Sequence, residues 1–137
     1  MLTFEKCMQS NLAYIGVKFT VVYAIRNDES IPALDFFNGL DPRWQGRFIT
    51  LFTRIGGGER IHNTEQFNKF LDEFWEFKAY QFRMPCYYRE NRHVVITHGF
   101  IKKKEGSAPK QEGERAHSIK REYEERLALE AKNRRTK

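Results

Sequence analysis

Residues 74–101 read FWEFKAYQFRMPCYYRENRHVVITHGFI, and this stretch decides the fold. It contains three runs, 74–80, 81–89 and 92–101, that are rich in the aromatic and β-branched residues typical of strands. Glu90 and Asn91 predict a tight turn between the last two runs, so an antiparallel meander is the economical arrangement. Pro85 cannot donate to a strand ladder and therefore predicts an edge position or a bulge.

The segment before the meander predicts one strand and a helical hairpin. Residues 18–24 (KFTVVYA) have strand composition. Ser30 and Pro32 are a start signal for a short helix. Asp41 can cap a second helix with one apolar face, and the glycines at 56–58 are expected to end it. These two helices should pack against each other.

Two further helical segments are predicted on either side of the meander. Thr64 is expected to cap a turn or two of helix that carries the apolar residues of 67–71. After the meander, Pro109 opens a helix in which Ala116, Ile119, Tyr123 and Leu127 recur at helical spacing. The last turns of this helix are highly charged and should extend into solvent.

The order of elements predicts an α+β fold with helices packed on one side of a small sheet. Residues 1–13 carry no clear period, and 137 residues suffice for one domain with appended segments. We therefore divide the chain into an N-terminal lead (1–16), one folded domain (17–123) and a charged helical C-terminal extension (124–137).

Composition limits the function classes. The formal charge is +6 with a pI near 9.4, which favours a polyanionic partner but does not prove one. No apolar stretch is long enough to span a bilayer, and the start of the chain lacks a secretory signal, so we expect a cytoplasmic protein without membrane contact. Cys7 and Cys86 show neither CxxC nor metal-ligand spacing, so we expect reduced thiols, no metal site and no cofactor.

Several short motifs resemble one family when they are taken in order. They are PALDFF (32–37), LDP (40–42), FWEFK (74–78), FR (82–83) and HGFIKK (98–103), followed by Pro109, Glu112 and Ala116. Over roughly residues 17–123 the chain resembles the phage-derived branch of the RelE/HigB toxins of type II toxin–antitoxin systems. It departs from that pattern at Ala108, where a small hydroxyl residue is usual, so Ser107 is the candidate cap, and at Pro85, where an aliphatic residue is usual.

The resemblance implies a RelE-like fold: a small, antiparallel-rich sheet with an N-terminal helical hairpin and a C-terminal helix. It also implies a metal-independent endoribonuclease that cuts messenger RNA on the ribosome and is silenced by a cognate antitoxin, expected to be of the helix-turn-helix type. Such cleavage needs a base for the 2′-OH, cations for the phosphorane and an acid for the leaving oxygen.

The resemblance assigns these roles to basic residues. The catalytic candidates are Arg83, whose planar guanidinium suits a phosphate, and Lys103 and Lys104, whose pKa values neighbouring cations can lower. The RNA-binding candidates are Lys78, Tyr87, Arg89 and Lys102.

Simpler interpretations of the same residues remain open. Three consecutive lysines are often a solvated loop, and Arg83 with Arg89 can form the exposed face of a strand. The alternation of His98 with Val94 and Ile96 favours a structural histidine over a catalytic base. A non-catalytic module on the same fold, which binds nucleic acid or an antitoxin, is the alternative function. It would keep the basic face without needing a tuned acid or base.

Overall fold

The computed structural model describes residues 11–103 and 108–135. Within these ranges the chain has seven strands and three helices, which confirms the predicted α+β class. The strands are β1 (Leu12–Ile15), β2 (Thr20–Tyr23), β3 (Phe67–Leu71), β4 (Phe74–Ala79), β5 (Phe82–Arg89), β6 (His93–Ile96) and β7 (Phe100–Ile101). The helices are α1 (Pro32–Asn38), α2 (Pro42–Gly56) and α3 (Ala108–Arg135).

The strands form one sheet in the order β1-β2-β6-β5-β4-β3, and β7 also pairs with β5. The predicted meander is confirmed, because β4, β5 and β6 are consecutive antiparallel neighbours. Strand β2 joins this meander in parallel with β6, and β1 pairs antiparallel with β2. Strand β1 was not predicted. It lies in the segment assigned to the N-terminal lead and is only four residues long.

Pro85 lies inside the sheet, so the predicted edge position is wrong. On one side of β5, Cys86 pairs with Ile96 of β6 and Arg83 pairs with Phe100 of β7. Between these pairs β5 has the two residues 84–85, whereas the opposite chain has the three residues 97–99. The Pro85 carbonyl, which accepts from Thr97 N at 2.9 Å, faces this irregularity. Pro85 has no N–H to donate, and it lies where the hydrogen-bond ladder between β5 and its neighbours is interrupted. This position agrees with the alternative prediction, a bulge.

The helices cover both faces of the sheet, which corrects the prediction that they pack on one side. On one face Phe48 and Phe52 of α2 pack among Val21, Phe77 and other buried side chains. On the other face, Ala116, Ile119 and Tyr123 of α3 pack against Phe74, Tyr87 and Val95. Strand β6 is buried on consecutive residues, so both of its faces need cover.

The predicted helical hairpin is confirmed. In α2, Pro42 occupies the first turn, and the Asp41 carboxylate accepts a hydrogen bond from Arg43 N at 2.8 Å. Helix α1 begins at Pro32, but its N-cap residue is Ile31, which forms no side-chain cap, so Ser30 is not the cap.

The helical turns predicted after Thr64 are wrong, because residues 67–71 form β3. Phe67 pairs with Phe77 in an antiparallel ladder with β4. The pattern of apolar residues in a run of only five residues fits both a strand and a helix. Hydrogen bonding to β4 is what makes this segment a strand. The polar residue that organises the preceding turn is Asn63, whose Oδ1 accepts from Glu65 N at 2.8 Å.

Helix α3 confirms the helix predicted from Pro109, with Ala116 and Ile119 fully buried and Tyr123 6% exposed. Ser107, the candidate cap, lies outside the described residues. None of the helices in the described ranges combines the length and the apolar character needed to cross a bilayer. Cys86 is a buried free thiol, and Cys7 falls outside the described ranges.

Candidate nucleic-acid interface

The β4–β5 hairpin brings two of the predicted site residues together. Its register pairs Lys78 directly with Arg83, and Ala79 with Phe82, so the connection is the two-residue loop Tyr80–Gln81. Because side chains alternate along a strand, Lys78 and Arg83 share one face of the hairpin. Two cations placed directly opposite each other repel, which favours an anion beside them.

Arg83 is held in a fixed position at the base of the hairpin loop. Its Nη1 donates to the carbonyl oxygens of Tyr80 at 2.7 Å and Phe82 at 3.0 Å. Its Nε lies 3.7 Å from Glu76 Oε1, which is an ionic contact but too long for a hydrogen bond. Burial lowers the pKa of Arg83, and Glu76 opposes that shift. A guanidinium oriented in this way is preorganised for a phosphate.

Glu76 and Lys78 have pKa values displaced toward neutrality. Burial raises the pKa of Glu76, although Arg83, Lys78 and Lys102 oppose the shift. Burial, together with Arg83 and Lys102, lowers the pKa of Lys78, whose Nζ donates to Thr64 O at 2.9 Å. Neighbouring groups shifted in this sense are suited to exchanging protons with a substrate.

The lysine run lies at the end of β7. The backbone N–H of Lys102 donates to Gln81 O at 2.7 Å, which fixes this end of β7 against the hairpin loop. The side chains of Lys102 and Lys103 are exposed. Lys104, the third lysine of the run and a catalytic candidate, lies outside the described residues. Of this run, Lys102 is close enough to Glu76 and Lys78 to shift their pKa values.

A cleft of about 470 Å³ separates α2 from the β4–β5 hairpin. We call it the basic cleft, because among the described residues four cations and one carboxylate, Glu65, line it. The cations are Arg47, Arg54, Lys78 and Arg83. Arg54 is tied to Glu59, with 2.6 Å between Nη2 and Oε2. The excess of positive charge in a concave surface attracts a polyanion.

The α2 side of this cleft was not among the predicted sites. Arg43, Arg47 and Arg54 follow one another at spacings of four and seven residues, which places them along one side of a helix. This spacing is visible in the sequence and could have identified them. The positions of Glu76 and Tyr80 next to Arg83 depend on the register of the hairpin, which cannot be predicted from the composition of the strands.

Two predicted RNA-binding residues lie elsewhere and serve the fold. Tyr87 is 1% exposed and its hydroxyl donates to Glu124 Oε2 at 2.7 Å, so it has no free face for a base. Arg89 Nε donates to the same oxygen at 2.9 Å. These bonds attach β5 to α3, and neither Tyr87 nor Arg89 lines the basic cleft, so their RNA-binding role stays a prediction from the sequence.

His98 is a structural residue, as the sequence predicted. It is fully buried, with Nδ1 at 2.9 Å from Thr97 Oγ1 and Nε2 at 2.9 Å from Glu112 Oε1. Burial, Arg115 and Arg26 lower the pKa of His98 to about 3, so the imidazole is neutral near pH 7. It joins the segment between β6 and β7 to the start of α3.

The glycine that follows His98 is also explained by packing. A Cβ at Gly99 would lie 2.1 Å from Cδ2 of Phe36 in α1, a distance that side-chain packing does not allow. The contacts of His98 and Gly99 therefore fix the chain just before β7 and the lysine run.

One group of side chains has the composition of a metal site. The ligand atoms of Asp72, Glu73 and His117 all lie within 4.8 Å of one another, at the β3–β4 turn and on α3. Lys120 Nζ contacts Glu73 Oε2 at 2.7 Å and neutralises part of this group. None of the three residues lines the basic cleft.

Comparison with protein-family models matches residues 35–121 to the family described as phage derived protein Gp49-like (DUF891). The match covers more than half of the 137 residues and includes every element that lines the basic cleft. No curated protein matches the chain.

Proposed function

The chain belongs to the Gp49-like family of phage-derived proteins, a family associated with toxin–antitoxin toxins of the RelE/ParE-like type, and from this premise we propose that it is a toxin that cuts messenger RNA in the basic cleft. The observation that carries the proposal is the cross-strand pair Lys78 and Arg83 beside Glu76. It combines a fixed cation with two groups of shifted pKa: Lys78 and Arg83 line the basic cleft, and Glu76 lies behind them, 3.7 Å from Arg83.

The proposed reaction is an attack of the ribose 2′-oxygen on the adjacent phosphorus. The 2′-OH proton passes to a base on the enzyme, and the P–O5′ bond breaks as the 5′-oxygen takes a proton from an acid. The products are a 2′,3′-cyclic phosphate and a 5′-hydroxyl. Arg83 would stabilise the phosphorane charge, as preorganised cations do in such sites. Glu76 and Lys78 join Lys103 and Lys104 as candidates for the acid and the base.

The proposed partners follow from the family. We infer that the substrate is messenger RNA presented on the ribosome, and that a cognate antitoxin, of the helix-turn-helix type, blocks the cleft. The first test is expression of the chain alone, which should arrest growth and deplete messenger RNA, with rescue by the antitoxin. Normal growth in cells that contain soluble, folded chain would count against a toxin.

The second test concerns chemistry. Because the proposed acid, base and charge stabiliser are all side chains of the protein, cleavage of a synthetic RNA should survive EDTA and leave a cyclic or 3′-phosphate end. A ribosome-dependent assay must keep enough magnesium to preserve the ribosome. Activity that is lost on chelation and restored by one specific ion would overturn this mechanism. RNA binding without cleavage would favour the alternative, a non-catalytic nucleic-acid-binding module.

A further inference from the structure

Tyr80 is the most exposed aromatic side chain at the basic cleft. It is 65% exposed, although its ring stacks on Trp44 with the centroids 5.2 Å apart and the planes inclined by 12°. Phe82 touches it edge-on, with 6.0 Å between the centroids. One face of the Tyr80 ring is thus supported by Trp44, and most of the remaining ring is open to solvent.

The backbone at Tyr80 is in a conformation that disfavours a large side chain. Its φ of 56° lies in the left-handed region, at the first central position of a two-residue hairpin loop. Glycine is the usual residue there, because a Cβ is strained at positive φ. The geometry of the turn alone does not explain a tyrosine at this position, and backbone strain of this kind is concentrated at functional sites.

Two arginines lie near Trp44, the lower ring of this stack. The guanidinium carbons of Arg43 and Arg47 lie 5.3 and 5.7 Å from the centroid of the Trp44 ring. Within residues 11–103 and 108–135, neither arginine forms an ion pair with a carboxylate. Between them, Gly46 has nothing within 4 Å of the position that a Cβ would take. A ligand backbone can therefore approach this side of α2 closely.

We propose that Tyr80 is a stacking platform for one unpaired base of a single-stranded RNA, whose flanking phosphates contact Arg43 and Arg47. The inference rests on the proposed function, because it places the RNA that the cleft would cut. Tyr80 offers an open aromatic face, and its stacking partner Trp44 lies next to two arginines without a carboxylate partner in the described ranges. This combination matches the sequence-tolerant mode by which proteins hold single strands. A duplex is excluded from this mode, because its bases present no free face.

The experiment is a binding titration with a fluorescently labelled 2′-O-methyl oligonucleotide, which cannot be cleaved because it lacks the attacking hydroxyl. Tyr80→Gly should weaken binding by roughly 5- to 150-fold, the range measured for one base–aromatic stack. Tyr80→Phe keeps the ring and should bind like the wild type. The matched control is Tyr88→Ala, which removes a tyrosine that is 43% exposed and lies outside the cleft lining. It should leave binding unchanged.

An abasic scan identifies stacking directly. Removing the base at one position of the oligonucleotide should weaken wild-type binding by the same factor, and should have no effect on Tyr80→Gly at that position. The glycine variant also relieves the strained φ, so its melting temperature should match or exceed that of the wild type. Annealing the complementary strand should abolish the contribution of Tyr80.

The inference is wrong if folded Tyr80→Gly binds the single strand as tightly as the wild type, or if the abasic losses are equal in both proteins. The outcome is separable from cleavage. A chain that stacks a base on Tyr80 but cuts no RNA would refute the proposed function alone. A chain that cuts RNA with unchanged binding after Tyr80→Gly would refute this inference alone.

Discussion

The α3 face of the sheet and the basic cleft use the same residue types in opposite ways. On the α3 face three arginines are matched by carboxylates, in the pairs Arg26–Glu122 at 2.7 Å, Arg89–Glu124 at 2.9 Å and Arg126–Glu29 at 2.6 Å. At the cleft, Arg54 and Arg83 each lie near a glutamate, but Lys78 and Arg47 have no such partner among the described residues. A paired cation holds two elements of the fold together, whereas an unpaired one is available to a ligand.

The pKa values of two glutamates show the same contrast. The Arg26 side chain and the Asn27 N–H, both hydrogen-bonded to Glu122, lower its pKa to about 2. Beside Arg83, behind the cleft lining, burial raises the pKa of Glu76 in spite of three nearby cations. The first carboxylate is fixed in its charged form, and the second can take up a proton more readily. The net charge of +6 therefore says less about function than its distribution does.

The largest expected effect compares two arginines of β5, one from each region. Arg83→Ala should slow single-turnover cleavage at saturating enzyme by about 10²-fold or more, because it removes a preorganised charge from the phosphorane. Arg89→Ala should leave the cleavage step unchanged, since Arg89 bonds to Glu124 on the α3 face. Circular dichroism should confirm that both variants are folded.

Two outcomes would break the comparison. If Arg83→Ala cleaves at the wild-type rate once saturated, Arg83 is a docking residue only. If Arg89→Ala loses cleavage while staying folded, the α3 face takes part in catalysis.

The next effect concerns pH and belongs to the α3 face, where Arg115 and Arg26 lie near the buried His98. The pKa of His98 is about 3 in the folded chain against 6.5 for an ordinary histidine, so the unfolded chain binds the extra proton first. The free energy of unfolding should therefore fall as the pH drops below about 6.5, by about 2 kcal/mol at pH 5. The raised pKa of Glu112 acts in the opposite direction, but in a window nearer pH 4.5.

Denaturant titrations between pH 7 and 5 measure this slope. His98→Gln introduces an amide that can still donate to Glu112 but does not titrate. In this variant the free energy of unfolding should change much less between pH 7 and 5. If that variant does not fold, proton NMR of the wild type is the second measurement. Imidazole resonances of His98 that titrate between pH 6 and 7 in the folded chain would contradict the prediction.

A smaller effect concerns the free energy of unfolding, which should depend on whether the arginine that is removed has a carboxylate partner. Arg89→Ala removes the charged partner of Glu124 and should lower the free energy of unfolding by about 1–3 kcal/mol. Arg47→Ala removes an exposed side chain that has no carboxylate partner in the described ranges, and should change it by less than about 0.5 kcal/mol. Equal losses in chemical denaturation would show that the two regions do not differ in this way.

Much of the fold could be predicted from the sequence, because its signals are local. Strand composition located the meander, and Asp41 with Pro42 located the start of α2. The placement of α3 on the far face could not be predicted in this way, because it depends on which strands are buried on both sides. Residues 67–71 were wrongly predicted to be helical for a similar reason, since pairing with β4 overrides a short apolar period.

The site was predicted only in part, again for a physical reason. The sequence supplied Lys78, Arg83 and Lys102, which are basic residues near strand ends. It did not distinguish Arg89 from Arg83, because both alternate along β5, and only the position of α3 shows which one is paired. Tyr87 was chosen as an aromatic residue for stacking, but it is 1% exposed, whereas Tyr80 at the hairpin loop is 65% exposed.

The smallest expected effect is on the salt dependence of RNA binding, and it compares a lysine near the cleft with a lysine on the α3 face. Each phosphate contact that displaces a counterion contributes to the slope of log K against log salt, so losing one contact should reduce that slope by roughly 0.7, the value for a single strand. Lys102 is exposed beside the cleft wall, so Lys102→Ala should show this reduction with a uniform loss of affinity across sequences. Lys120 is bonded to Glu73 at 2.7 Å on the α3 face, so Lys120→Ala should leave the slope unchanged. Both variants remove one positive charge, so a general effect of net charge would change the two slopes equally. Equal slopes for the two variants, measured with the uncleavable oligonucleotide over a range of salt concentrations, would mean that the RNA responds to the charge of the whole chain and not to the cleft.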